Sequence, residues 1–146
     1  MVNIPKNKKI ILFDGICNLC NNAVLKIIKN DKKNLFLFAS IQSNIGKQII
    51  NSLKIDTFKT DSIIVYEPGI SYEIKSSAVL SITKHFKGFW MLTQLLWFFP
   101  KSLRDWVYDY IAKNRYKWFG KKESCLLPTQ NLKAKFLEYY GISERC

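Results

Sequence analysis

Histidine and arginine are nearly missing from this chain. His85 is the sole histidine, and only Arg104, Arg115 and Arg145 stand among 23 basic residues. The forks that read phosphates and guanines are usually arginine, so their scarcity argues against specific nucleic-acid recognition. His85 falls at the end of an expected helix and reads as a surface residue there, where the dipole favours a cation, rather than as a catalytic base. Long apolar runs are missing as well. The greasiest stretch, 89–100 (FWMLTQLLWFFP), is interrupted by Thr93 and Gln94 and falls short of the roughly 20 residues a membrane span needs. The apolar run near the start, 10–13, is shorter than the about 7 to 15 residues of a secretory core, so a cytoplasmic setting is expected. Glycine and proline are sparse, with six and four copies. There is no internal repeat, low-complexity tract or linker.

What is present is apolar and basic. With 48% hydrophobic and 14% aromatic residues over 146 positions, the composition is that of a globular chain, and one domain spanning 1–146 is expected. The formal charge of +12 comes from 23 basic residues against 11 acidic. Such an excess attracts polyanions, but lysine dominates it, and it reads as a solvated lysine surface.

Residues 9–13 (KIILF) form a nearly continuous apolar run ending at Asp14-Gly15, the pattern of a buried strand and a turn. Leu19, Ala23, Val24, Ile27 and Ile28 then recur at helical spacing. Residues 35–39 (LFLFA) suggest a second strand, and Ile45, Ile49, Ile50 and Leu53 a short second helix. A helical connection makes those two strands parallel. Residues 62–66 and 71–75 read as strands joined by Glu67-Pro68-Gly69-Ile70, a type II turn that makes an antiparallel hairpin. Ser76 or Ser77 is expected to cap a helix running to about Phe86. The order is βαβαββα, an α/β fold with a mixed sheet and flanking helices. A helical extension follows from about 101. There Ser102 and Asp105 suggest an N-terminal cap, Gly120 a stop, and Leu132, Phe136, Leu137 and Tyr140 a last amphipathic helix.

The chemistry is concentrated in FDGICNLCNN, residues 13–22. Cys17 and Cys20, spaced i and i+3 in the first turn of a helix, share one face and lie close enough to form a disulfide. Unpaired amides and the positive end of the helix dipole favour a thiolate at Cys17, below the reference of about 8.5. Cys17 is thus expected to be the exposed attacking sulfur, and Cys20, one turn further in, the one that resolves the mixed disulfide. Asp14 has two readings: an N-terminal cap accepting backbone N–H groups, or a proton acceptor for Cys20 whose pKa is raised by partial burial.

ILFDGICNLC resembles the signature of the DCC family, named for its Asp-Cys-Cys pattern. Further matches follow in order: Ser40-Ile41-Gln42-Ser43, Asp61-Ser62, Ser77-Ala78-Val79-Leu80, Arg104-Asp105 with Tyr108, the run from Ile111 to Tyr116, and KKESCLLP around Cys125. The similarity covers about residues 9 to 138. The resemblance implies a thioredoxin-like core and thiol-disulfide oxidoreductase activity. A dithiol carries its own two electrons, so no dissociable cofactor is implied, and the client is an unknown protein or small-molecule disulfide. One departure concerns the groove that receives it. Thioredoxin-like enzymes usually carry a cis-proline before the third strand, whereas residues 58–62 (FKTDS) contain none.

Three rival readings accompany this one. Cys17, Cys20, Cys125 and Cys146 would supply four thiolates to a zinc ion, although Cys125 and Cys146 do not form the second close pair of a usual site. A strand ending in Asp14 is also similar to aspartyl-phosphate enzymes of the haloacid dehalogenase type, but those need a second acid where Ile16 stands. Finally, Lys113, Arg115, Lys117, Lys121 and Lys122 alternate with Tyr116, Trp118 and Phe119, a pattern suited to stacking on single-stranded bases. On a helix, those aromatics are expected to face the core and the lysines water. Trp90, Trp97, Phe98 and Phe99 are expected to cap an apolar layer, an exposed patch being the alternative. Cys125 is either an inert packed thiol or a third sulfur near the pair.

Overall fold

A computed structural model describes residues 4–56, 63–121 and 132–137. Four strands come from the expected apolar runs: β1 (Lys9–Phe13), β2 (Phe36–Ser40), β3 (Ile64–Glu67) and β4 (Ser71–Ile74). They form a sheet in the order β2-β1-β3-β4. β1 and β2 run parallel, with Ile11 opposite Phe38. β3 is antiparallel to both β1 and β4. The hairpin turn is as expected, with Gly69 at φ 78°, a backbone conformation that glycine enters without steric cost, and the Ile70 N–H donating to the Glu67 carbonyl at 3.1 Å.

The continuous apolar runs have a simple cause: both faces of β1 and β2 are covered, so alternate side chains enter different cores. Ile11, Phe13, Phe36 and Phe38 point to one side, where they meet Val24 and Ile27 of α1 (Asn18–Asn30) and Ala78 and Ile82 of α3 (Lys75–Thr83). Ile10, Leu12, Leu37 and Ala39 point to the other, against Ile45, Ile49 and Ile50 of α2 (Asn44–Ser52). Each fully buried side chain of this kind contributes about 1.5–3 kcal/mol of transfer free energy. The strand order, the directions and the flanking helices make this an α/β, thioredoxin-like core, to which α4 (Lys101–Phe119) is added, packed on α3 and α1.

Local details differ from expectation where a tertiary partner outcompetes a cap. Helix α3 starts at Lys75 with Ile74 at its N-cap and no side-chain cap, because Ser76 Oγ donates to Asp105 Oδ1 of α4. Asp105 also accepts from Lys101 at 2.6 Å, so Ser102 and Asp105 form no capping box, and Pro100 begins α4 without a side-chain cap. Residues 88–98, left without an assigned element by their pattern, wind into a 3₁₀ segment, Gly88–Phe98, in which no residue is buried. In the last amphipathic stretch, the described residues form a short 3₁₀ turn, Lys133–Lys135. Phe136 follows in extended conformation and bridges Phe38, and Phe136 and Leu137 are fully buried. Tyr140 and Gly141, like Asp61, Ser62, Cys125 and Cys146, lie outside the described residues.

Candidate active site

The turn between β1 and α1 carries both cysteines. Cys17 is the N-cap residue of α1, with extended backbone (φ −82°, ψ 122°), and its sulfur accepts the Cys20 N–H at 3.3 Å. A sulfur therefore occupies the place that serine or aspartate usually fills, facing the positive end of the helix. The Cys20 thiol is hydrogen-bonded to Cys17. Burial, that hydrogen bond and negative charge at Cys17 together push the Cys20 thiol well above the ordinary cysteine range, with Arg115 pulling weakly the other way. The two sulfurs form an unequal pair: one accepts, and the other holds its proton.

Accessibility runs opposite to expectation. Cys17 is 0% exposed, whereas Cys20 is only partly buried. The end of α4 lies against this turn. Lys121 pairs with Cys17 in an isolated antiparallel bridge. Asn18 Nδ2 donates to the Phe119 carbonyl at 2.9 Å, satisfying one of the carbonyls a helix end leaves open. Gly120 turns the chain with φ 83° and ψ 171°, a region that is essentially glycine-only. A Cβ there would stand 3.0 Å from Asn18 Nδ2.

Asp14 does not cap the helix, since Cys17 does. Its carboxylate is buried and accepts four hydrogen bonds. Oδ1 receives the Ile16 N–H at 3.1 Å and Gln42 Nε2 at 2.8 Å. Oδ2 receives Arg115 Nη2 at 2.9 Å and the Tyr116 hydroxyl. Arg115, 4% exposed, makes this a buried ion pair, and its guanidinium lies over the Tyr116 ring at 4.7 Å. Burial and the bond to Asp14 push the Tyr116 hydroxyl up to about 12. Gln42 reaches the site because the chain leaving β2 stays bonded to β1, with the Ile41 N–H donating to the Phe13 carbonyl. Its Oε1 then accepts from Gly15 N at 3.0 Å. Asn21 Nδ2, from α1, ties the Gly15 carbonyl at 3.0 Å.

Cys17, Cys20 and Asp14 are thus brought together. Gln42, Arg115 and Tyr116 join them, although local spacing does not place them in a site. Their signal in the sequence is their position inside ordered motif matches. Sequence groups Arg115 with a basic surface cluster, and its burial removes it from that surface. Two aromatics of that cluster do not face the core either: Trp118 and Phe119 are about half exposed. His85 is far from this chemistry in sequence and packs edge-on against Phe36 at 5.8 Å. Among the described residues no three His, Cys, Asp or Glu side chains are grouped to hold a metal ion, and no helix is long and apolar enough to cross a membrane.

The chain is similar to known proteins along most of its length. The model of the DCC1-like thiol-disulfide oxidoreductase family matches residues 11–121, a stretch that includes every side chain of the cluster. The protein YuxK of Bacillus subtilis (strain 168), described as uncharacterized, is 46% identical over 129 residues, covering 88% of this chain and 93% of its own. A chloroplastic DCC family protein of Arabidopsis thaliana is 38% identical over 121 residues, covering 82% of this chain and 70% of its own. No solved structure matches the chain at a significant level.

Proposed function

The chain belongs to the DCC1-like thiol-disulfide oxidoreductase family, and from that premise we propose that it exchanges disulfides through Cys17 and Cys20. The observation that carries the reading is the Cys17 sulfur at the N-cap of α1, accepting the Cys20 N–H beside a thiol that keeps its proton. Cys17, as thiolate, attacks one sulfur of the client disulfide and forms a mixed disulfide, while the other client sulfur leaves as a thiolate. Cys20 then gives up its proton and attacks the Cys17 sulfur. The Cys17–Cys20 disulfide forms, the second client thiol is released, and the client has gained two electrons. An external dithiol returns the pair to its reduced form by the same steps in reverse. A reducing, cytoplasm-like compartment suits this cycle.

Because Cys17 is covered, attack requires the segment at Gly120 and Lys121 to move off the turn. Asp14 has a proton-acceptor role open to it through its proximity to Cys20. Four hydrogen bonds already fill its acceptor directions, however, and this favours anchoring of the turn. The field at Cys20 is then shared between Asp14, which raises its pKa, and Arg115, which lowers it.

Mixed-disulfide trapping with a model peptide disulfide tests the assignment. Cys20→Ser is expected to accumulate a stable adduct on Cys17, and Cys17→Ser to form none. An adduct found on Cys20 in the Cys17→Ser variant, or none on Cys17 in the Cys20→Ser variant, would overturn the roles.

A further inference from the structure

A broad apolar face lies apart from the cysteine pair. The 3₁₀ segment Gly88–Phe98 carries Phe89, Met91 and Phe98 at 79%, 63% and 87% exposure, and α4 adds Trp106 at 66%. Monomeric proteins rarely leave so many large side chains together in water. Along α4, Trp106 stacks on Tyr110 with ring centroids 6.3 Å apart, and Tyr110 meets Trp118 edge-on at 5.6 Å. Between the 3₁₀ segment and α4 runs an apolar groove of 370 Å³ lined by Val79, Leu96, Phe99, Leu103, Val107 and Ile111.

Within that groove stands one cation, Arg104. Its Nε and Nη1 are shielded from water and have no hydrogen-bond partner, and its guanidinium lies over the Trp97 ring at 4.8 Å. The rim is basic too. Lys84, Lys87, Lys101, Lys113 and Lys117 are exposed around the same elements, whereas both acids of α4 are engaged, Asp105 by Lys101 and Ser76, and Asp109 by Lys75.

We propose that this face docks the protein on the surface of an anionic phospholipid bilayer, with Phe89, Phe98 and Trp106 entering the acyl boundary and the lysines meeting lipid phosphates. Apolar side chains beside a lysine rim are what such an interface selects, and tryptophan is at home at headgroup level. A second copy of the chain fits less well, because a two-fold pairing of this face sets one lysine rim against another.

Vesicle flotation tests the proposal on the full chain, using vesicles of phosphatidylcholine alone and vesicles of phosphatidylcholine mixed equally with phosphatidylglycerol. Binding to the mixed vesicles alone is expected, with a blue shift of tryptophan emission. The double variant F89S/F98S should bind about a hundredfold more weakly, roughly tenfold for each ring withdrawn from the bilayer. Both phenylalanines are exposed, so the thermal unfolding of the double variant should match wild type. Failure of wild type to float at low salt overturns the proposal, as does undiminished binding by F89S/F98S, which would assign the attraction to the lysines alone. Self-association of wild type that the double variant abolishes, without vesicle binding, would assign the face to a second copy.

Discussion

The two ends of α4 live in different environments. At its C-terminal end, Arg115 and Tyr116 are drawn into a buried polar cluster around Asp14, and Asn18 fastens the last turn to the cysteine pair. At its N-terminal end, Leu103, Trp106 and Val107 stand beside the 3₁₀ segment with much of their surface in water. One helix therefore pairs a site where each polar contact is specified with a face where apolar surface is left unspent. A buried carboxylate must be neutralised by directed partners, and this fixes the redox end tightly. The apolar face makes no such demand within the chain, and it is free to serve a surface outside it.

The sharpest way to break the contrast is at the ion pair. Arg115→Met leaves Asp14 buried without its cation and should cost about 3–5 kcal/mol in urea unfolding. Adding Asp14→Asn to it should recover a substantial part of that loss, since the two sites are coupled. Trp106→Ala, on the same helix, should change stability by no more than about 0.5 kcal/mol. A comparable contrast separates two phenylalanines. Phe136→Ala, which empties a site touching Phe13 and Phe38, should cost about 3–5 kcal/mol, whereas Phe98→Ala should leave the midpoint nearly unmoved.

A smaller effect is expected where the end of α4 meets the cysteine turn. Gly120→Ala forces a Cβ into a glycine-only conformation beside Asn18 and should cost about 1–3 kcal/mol. Loosening this contact should also make Cys17 alkylate faster. Equal rates would mean that access is controlled elsewhere. Tyr116→Phe should be milder than Gly120→Ala, at about 1 kcal/mol near neutral pH for the lost bond to Asp14. Its signature is at alkaline pH. The native hydroxyl is pushed up to about 12, while the unfolded chain's ionises near 10. The folded state therefore holds a proton that the unfolded state has lost. The stability this contributes is complete below pH 10 and disappears between 10 and 12. Tyr116→Phe should flatten that part of the stability curve.

Strand and helix types along 9–83 were legible because burial on both sheet faces makes β1 and β2 continuously apolar, while α1 and α2 repeat at helical spacing. Caps were less legible. Ser76 and Asp105 each carry a local signal, but they bond one another across two helices, an alternative no local pattern reveals. The orientation of α4 was misjudged for a related reason. Helical spacing says which residues share a face; it does not say whether the chain has a layer to set against that face. Among the site residues, Cys17, Cys20 and Asp14 are neighbours in sequence and declared their chemistry by spacing. Arg115 is 101 positions from its carboxylate, and nothing local distinguishes it from the lysines around it.

By itself, then, the sequence determined the α/β order, the turn at Gly69, the halt at Gly120 and a CxxC pair at the start of a helix, because each depends on dihedral preference or periodicity within a few residues. Only the tertiary structure decided that Cys17 lies beside the end of α4, that Asp14 is matched by Arg115, Tyr116 and Gln42, and that Phe89 and Phe98 of the 3₁₀ segment face outward. Those outcomes depend on which distant surfaces exclude water from one another, and that competition is settled only when the whole chain packs.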